Sequence, residues 1–194
     1  MISLVLGLGN IGPKYAATRH NLGFEVVNRV KNALRAQPLS GAEEYNSAVA
    51  TLAERRVVLG WPKTFVNLSG IAAKKLLFST GLSPAEMLVV VDDFNLPLGT
   101  LRFRSSGSDG GHNGLSSLIE VLGTREFPRL RLGIGPIPAG ADVVKFVLGK
   151  FDPGERERVD PMVGRAAAAV FFVMMNRFDE AMSRYNVNPA LPTM

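Results

Sequence analysis

Met1-Ile2-Ser3-Leu4-Val5-Leu6-Gly7-Leu8-Gly9-Asn10-Ile11-Gly12-Pro13 opens the chain, and its reading decides the fold. Residues 2–6 are a short apolar run of β-formers ending in glycine, as a buried strand does. Gly7 to Gly12 then match the G-x-G-x-x-G pattern of a dinucleotide-binding turn. That fold needs a helix opening at the glycines and a second strand ending in an acidic residue about 20 residues on. Here Pro13 follows Gly12 directly, and the downstream segment Val27-Asn28-Arg29-Val30-Lys31-Asn32 is basic and helical. The glycines are therefore read as a tight backbone turn that presents Asn10, and no cofactor is expected.

From this strand outward, strands and helices alternate. Apolar residues at Leu22, Val26, Val27, Val30 and Leu34 predict a helix over 18–34, with Pro38 just beyond its end. Residues 47–52 and 56–60 read as two strands joined by a charged turn at Glu54-Arg55. A helix over 69–79 closes at Gly81, and an apolar strand over 87–91 ends at Asp92-Asp93. Residues 100–104 alternate apolar and basic side chains, as an edge strand does. A Gly/Ser-rich loop over 105–114 leads to a helix over 115–122 and a strand over 129–134. Short and long helices follow at 142–148 and 153–176, the latter with Pro153 in its tolerated first turn. Residues 186–194 are expected to be a flexible tail.

This order predicts one α/β domain over residues 1–185, with a mixed, mostly parallel central sheet covered by helices on both faces. Polar residues of unusual type collect after Leu6, Gly60 and Val91, and open α/β sheets carry their sites at the carboxyl ends of strands.

Composition narrows the function classes. The 194 residues contain no cysteine, which excludes disulfides, thiolate metal sites and thiol nucleophiles. The start lacks the basic-then-apolar pattern of a signal peptide, and the most apolar stretch, 166–175, is too short to span a bilayer. The cytosol is the expected location. A net charge of +5 is compatible with a polyanionic partner, but equally with a soluble basic protein that has none.

The chain has two histidines, His20 and His112, so candidate general bases are few. His20 stands in Thr18-Arg19-His20-Asn21 at a helix start, where it could merely cap or pack. Asn10, Asn67, Asp92 and Asn113 each have a bland explanation: Asn67 and Asn113 as helix caps, Asp92 as a strand-end turn residue. Together they gather a histidine, a carboxylate and several amides at ends of one sheet. Ser69 and Ser108 lie near these motifs, but neither stands in the G-x-S-x-G elbow of a serine hydrolase.

Five motifs in order carry a resemblance. Gly7-Leu8-Gly9-Asn10-Ile11-Gly12 with Tyr15 and Thr18-Arg19-His20-Asn21 is similar to the opening signature of bacterial-type peptidyl-tRNA hydrolases. Lys63-Thr64-Phe65-Val66-Asn67-Leu68-Ser69-Gly70, Val90-Val91-Asp92-Asp93 with Leu96-Pro97-Leu98-Gly99, and Gly110-Gly111-His112-Asn113-Gly114 resemble the next three. Arg129-Leu130-Arg131-Leu132-Gly133-Ile134-Gly135 and Val147-Leu148-Gly149 complete the order. Ile11, Val66, Val91 and Asp93 depart from the family's usual proline, methionine, histidine and glutamate.

The resemblance implies a metal-free esterase that cuts the bond between a peptide and the 3′ ribose of tRNA. It implies His20 as the base that activates water and Asp92 as the holder of its ring. Asn10 and Asn67 would position the substrate, and Asn113 would orient the water or stabilise the oxyanion. Basic residues at about the positions of Lys63, Arg102, Arg104 and Arg131 would grip tRNA phosphates. Arg102 and Arg104 share one face of their strand, although charge on an edge strand also serves simply to block aggregation. Tyr15 and Phe65 could stack on a terminal base, pack on the peptide, or be ordinary core aromatics. Residues 136–148 are expected to form a flap over the cleft. A monomer with no obligate protein partner is implied. A non-catalytic RNA-binding or splicing-partner relative of the same fold is the alternative, and the role of His112 stays open.

Overall fold

Leu4–Gly7 (β1) is the strand expected at the N-terminus, and all four of its residues are buried. A strand with no solvent face belongs in the middle of a sheet. In the computed structural model, which describes residues 1–39 and 41–186, β1 pairs in parallel with Arg55–Pro62 (β4) on one side and Met87–Pro97 (β5) on the other. Arg129–Gly135 (β7) adds in parallel to β5. Tyr45–Leu52 (β3) runs antiparallel to β4, Gln37–Leu39 (β2) antiparallel to β3, and Leu101–Arg104 (β6) antiparallel to β7. The seven-stranded order is β2-β3-β4-β1-β5-β7-β6, a mixed and mostly parallel sheet as expected.

Helices cover both faces. Leu22–Leu34 (α1), Pro153–Met175 (α5) and Phe178–Tyr185 (α6) pack on one side, where Val26, Val30, Val163 and Val170 meet Val5, Leu59, Leu130 and Leu132. Ser69–Thr80 (α2) and Asn113–Leu122 (α3) pack on the other, where Ala73, Leu76, Leu115 and Leu118 meet Leu4, Leu6, Val58 and Val89. Val143–Leu148 (α4) lies against the short 3-10 turn Arg19–Asn21 that leads into α1.

Several expectations shift. The charged turn is centred on Ala53 and Glu54, both with positive φ (47° and 63°), and Arg55 already belongs to β4. The β2 strand and α6 are additions that the sequence patterns did not disclose. Pro38 sits within β2, which is tolerated because β2 is an edge. The third long strand does not stop at Val91. It runs through Asp92 and Asp93 to Pro97, because partners described below satisfy both buried carboxylates. Of the tail expected at 186–194, residues 187–194 lie outside the described residues. Asn186 is tied to the sheet: its side chain accepts from Phe103 N at 2.6 Å and donates to Phe103 O at 3.2 Å.

The N-terminal glycines also act differently from the expectation. Only Gly12 has positive φ (102°). Gly7 and Gly9 are needed because α1 approaches β1 too closely for a side chain. A Cβ on Gly7 would lie 2.5 Å from Gly23 O, and one on Gly9 3.0 Å from the Asn21 side chain. Gly23 is tighter still, wedged against the Val90 carbonyl and the Leu8 backbone. Because the neighbouring atoms are backbone, Gly23→Ala is expected to destabilise the protein by about 1–3 kcal/mol or more. Urea unfolding at equilibrium checks this; an unchanged midpoint would contradict the packing described.

Candidate active site

Arg19 fixes the position of His20. Its main-chain N–H donates to Gly149 O at 2.9 Å, and Thr18 bridges Lys150. Its buried guanidinium lies between the rings of Phe146 and Phe151, donates to Lys150 O at 2.8 Å and pairs with Glu155 at 2.6 Å. The 3-10 turn is thereby bolted to the end of α4 and the start of α5. This joins the 136–148 segment to the histidine turn; the expectation that it is a flap covering the cleft is untouched by these contacts.

His20 then projects toward β5. Its Nδ1 lies 3.0 Å from both carboxylate oxygens of Asp92. The same carboxylate serves a second ring: His112 Nε2 lies 3.1 Å from Asp92 Oδ1, and the two imidazoles are tilted against each other with centroids 4.6 Å apart. His20, Asp92 and His112 are 6%, 2% and 6% exposed.

Hydrogen bonds fix the protons. His112 Nδ1 accepts from the backbone N–H groups of Gly114 (3.0 Å) and Leu115 (3.3 Å), so the ring proton is on Nε2 and points at Asp92. Asp92 is an acceptor only, so His20 must donate from Nδ1, which leaves its Nε2 lone pair unbonded among the described residues. Three ligand-type groups this close resemble a metal site. The backbone donors at His112 argue otherwise, because they oblige the nitrogen facing Asp92 to keep its proton rather than offer a lone pair.

Charge follows from this arrangement. Burial alone would raise the Asp92 carboxyl, but His20 and His112 together outweigh it and hold the group well below the usual carboxylate range. Burial alone would lower the His20 imidazole, but the Asp92 charge and hydrogen bond outweigh it and raise His20 above its ordinary value.

Asn10 is buried and oriented by two loops. Its Oδ1 accepts from Val66 N at 2.9 Å, which joins the first motif to the second and leaves the Nδ2 amide as the outward donor. Asn21 clamps the Asn10 main chain from below, accepting from its N–H at 2.8 Å and donating to its carbonyl at 3.0 Å. Asn21→Ala removes both bonds at a buried site. It is expected to lower stability by about 1–3 kcal/mol and turnover more than substrate affinity. Steady-state kinetics beside a thermal melt check this, and a melt-only effect would deny Asn21 its positioning role.

Asn67 and Asn113 are both exposed, and neither caps a helix. Asn67 lies in the 3-10 turn Val66–Leu68 ahead of α2, and the cap of α3 is His112. Both amides are available to a ligand. Tyr15 and Phe65 meet edge-on with centroids 6.3 Å apart, and Phe65 is 52% exposed, so it is not a core aromatic.

The basic residues divide. Arg102 and Arg104 lie on one face of edge strand β6, opposite Arg131 and Arg129 of β7. Arg104 is exposed and Arg102 half-buried. Lys63 is exposed, with Nζ 3.3 Å from Ala42 O. Arg131 is committed inward: it pairs with Asp93 at 3.0 Å and donates to Ser108 O at 2.8 Å. Arg129 is fully buried, lies over the Phe127 ring and bonds Gly107 O at 2.9 Å. Burial, then the neighbouring Arg131, push its guanidinium down to about 10. These two arginines hold the 105–112 loop that delivers His112. Asn95 helps, donating to Gly110 O at 3.0 Å and to Asp93 Oδ1 at 3.1 Å.

The structure thus bonds His20 to Asp92, sets Asn10 against the second motif, and puts Asn113 directly after His112. Arg102 and Arg104 sit two strands away from Asp92. Arg19, Asn21 and His112 hold the geometry of the candidate site, and residue patterns left them without a role; for His112 the one available signal was that the chain has only one other histidine. Of the four departures, Val91 and Val66 are buried in the α2–α3 core, Ile11 is 42% exposed, and Asp93 is the partner of Arg131. Ser69 is fully buried, and neither serine hydroxyl bonds to an imidazole among the described residues.

Fold and site define an α/β enzyme built round a carboxylate-held histidine. The family model for peptidyl-tRNA hydrolase matches residues 4–192. Peptidyl-tRNA hydrolase from Chlorobaculum parvum is 42% identical, over 95% of this chain and 98% of the relative. The Aquifex aeolicus protein of the same name is 43% identical, over 95% and 96%. The crystal structure of peptidyl-tRNA hydrolase from Acinetobacter baumannii superposes with a TM-score of 0.89 at 30% identity, covering 95% of this chain and 94% of that one. The chain belongs to the peptidyl-tRNA hydrolase family.

Proposed function

We propose that this chain hydrolyses the ester between the peptide and the 3′ ribose of peptidyl-tRNA, with His20 as general base. The observation that carries the reading is the proton arrangement at Asp92: Nδ1–H of His20 is held there, and Nε2 is left as an oriented lone pair. A water bonded to Nε2 loses its proton as its oxygen adds to the ester carbonyl. The tetrahedral intermediate collapses, the bond to the ribose 3′ oxygen breaks, and the imidazolium returns the proton to that oxygen. Asp92 stabilises the imidazolium meanwhile.

Neutral amides complete the chemistry. The Nδ2 of Asn10 and the side chain of Asn67 hold the peptide end, and Asn113 orients the water or donates to the oxyanion. Tyr15 and Phe65 offer an open aromatic edge to the terminal base or the peptide. Arg102, Arg104 and Lys63 contact tRNA phosphates, positioning without reading sequence, while Arg131 adds charge from a fixed place behind the loop. All these groups lie on one chain, so a monomer suffices. No helix among the described residues is long and apolar enough to cross a membrane, which fits a cytosolic substrate.

The test is release of free tRNA from N-acetyl-aminoacyl-tRNA, in EDTA, between about pH 5 and 8. Release unaffected by the chelator is expected. The base works only when neutral, and Asp92 raises its pKa, so kcat/KM rises with pH through an apparent pKa above the ordinary value of about 6.5 and then levels. Binding of tRNA without release would replace this reading with a non-catalytic RNA-binding one.

A further inference from the structure

A second concavity lies on the α1 face, beside the candidate active site. It encloses about 400 Å³, and its walls include Ile11, Phe24, Lys31, Asn46, Trp61 and Pro62. Two walls adjoin the first two motifs: Ile11 follows Asn10, and Pro62, the last residue of β4, precedes Lys63. The concavity is thus walled by the immediate chain neighbours of Asn10 and Lys63.

The lining has a definite chemistry. Trp61 is 9% exposed, and its Nε1–H has no hydrogen-bond partner among the described residues. A buried donor in that condition is costly unless something accepts from it. Lys31 Nζ stands 5.7 Å from the centre of the Trp61 ring, and no carboxylate among the described residues pairs with it. Asn46 is exposed beside them. An indole donor, an unpaired ammonium and an amide on an apolar floor favour a ligand rich in carbonyls that carries negative charge.

We propose that this pocket is a subsite for the peptide part of the substrate, taking residues upstream of the esterified one and preferring acidic side chains there. The proposal rests on the peptidyl-tRNA reading above and adds a preference to it. Lys31 supplies the charge selection, and Trp61 supplies an apolar wall with one donor.

Trp61 is the only tryptophan of the chain, so its emission reports on the pocket directly. The protein is titrated with N-acetylated tri-glutamyl amide, with the tri-lysyl amide, and with deacylated tRNA. A saturable emission change with the glutamyl peptide alone, lost in Lys31→Glu, is expected. No change with either peptide, or the same change with deacylated tRNA, overturns the proposal; the latter would give the pocket to RNA.

Kinetics supply an independent readout. Wild type is expected to show a KM about fivefold lower for an acidic than for a basic N-acetyl-tripeptidyl-tRNA, and Lys31→Glu to reverse that order. A folding defect would move both substrates together. Equal KM values in the wild type overturn the subsite. If no ester releases tRNA, the hydrolase reading fails, and the emission titration still decides whether the pocket takes acidic peptides.

Discussion

His20→Ala is expected to lower kcat on N-acetyl-aminoacyl-tRNA by about 10²–10⁴-fold while leaving tRNA affinity nearly unchanged. That range is what a positioned general base contributes. The upper part applies here because nothing nearby can substitute. Asp92 is 2% exposed and still accepts from His112. His112 offers no free lone pair: one nitrogen accepts from Gly114 and Leu115, and the other donates to Asp92. Among the described residues, neither Ser69 nor Ser108 is bonded to a base. Removing the ring takes one of two imidazole donors from a buried carboxylate, so a loss of about 1–3 kcal/mol of stability accompanies the kinetic effect. A melting curve separates the two. Added imidazole should restore part of the rate, more so at higher pH, where the neutral base predominates. Full activity in a folded His20→Ala protein would remove His20 from the mechanism and leave the family assignment standing.

How much of this was legible in the residues depends on range. The β1 strand and helices α1, α2, α3 and α5 were readable because their apolar spacing is local and regular. Gly12 signals its turn locally too. Gly7 and Gly9 do not, because what they make room for is Asn21 and Gly23, in a turn and helix that follow later in the chain. The end of β5 was misplaced for a related reason. Two adjacent aspartates look like the end of a strand, and it is His20, His112 and Arg131, brought from three other places, together with Asn95 of the same strand, that make them tenable inside one. Asn67 and Asn113 looked like helix caps, and the actual cap of α3 proved to be the histidine before Asn113. Arg131 and Arg129 look from composition like Arg102 and Arg104. Their register partners across β6 and β7 share a face with them, yet one pair faces solvent and the other props the 105–112 loop from within. Charge type was readable; whether a charge is offered outward or used up inside is set by contacts distant in sequence.

Asp92→Asn tests the arrangement more searchingly than loss of the base itself, and is expected to reduce kcat by about 10²–10⁴-fold with the protein still folded. The amide keeps the shape but not the acceptors. One of its termini becomes a donor, and both nitrogens facing it, His20 Nδ1 and His112 Nε2, are donors in the native state. His112 cannot change tautomer, because the Gly114 and Leu115 N–H groups occupy its other nitrogen. It therefore takes the amide oxygen, and His20, which lies 3.0 Å from both terminal atoms of the native carboxylate, must either share that oxygen or face the amide nitrogen. Accepting from that nitrogen would require His20 to move its proton to Nε2, the nitrogen that the proposed mechanism needs bare. The pH profile should change with the plateau. With the carboxylate gone, burial is the remaining influence on His20, and burial lowers its pKa. The residual activity should then rise through an apparent pKa below that of the wild type, so that the relative loss is smallest in acid. A profile with an unmoved midpoint and a lower plateau would mean that Asp92 orients the ring without setting its charge. An unchanged plateau would mean that the two-imidazole clamp has no part in the reaction.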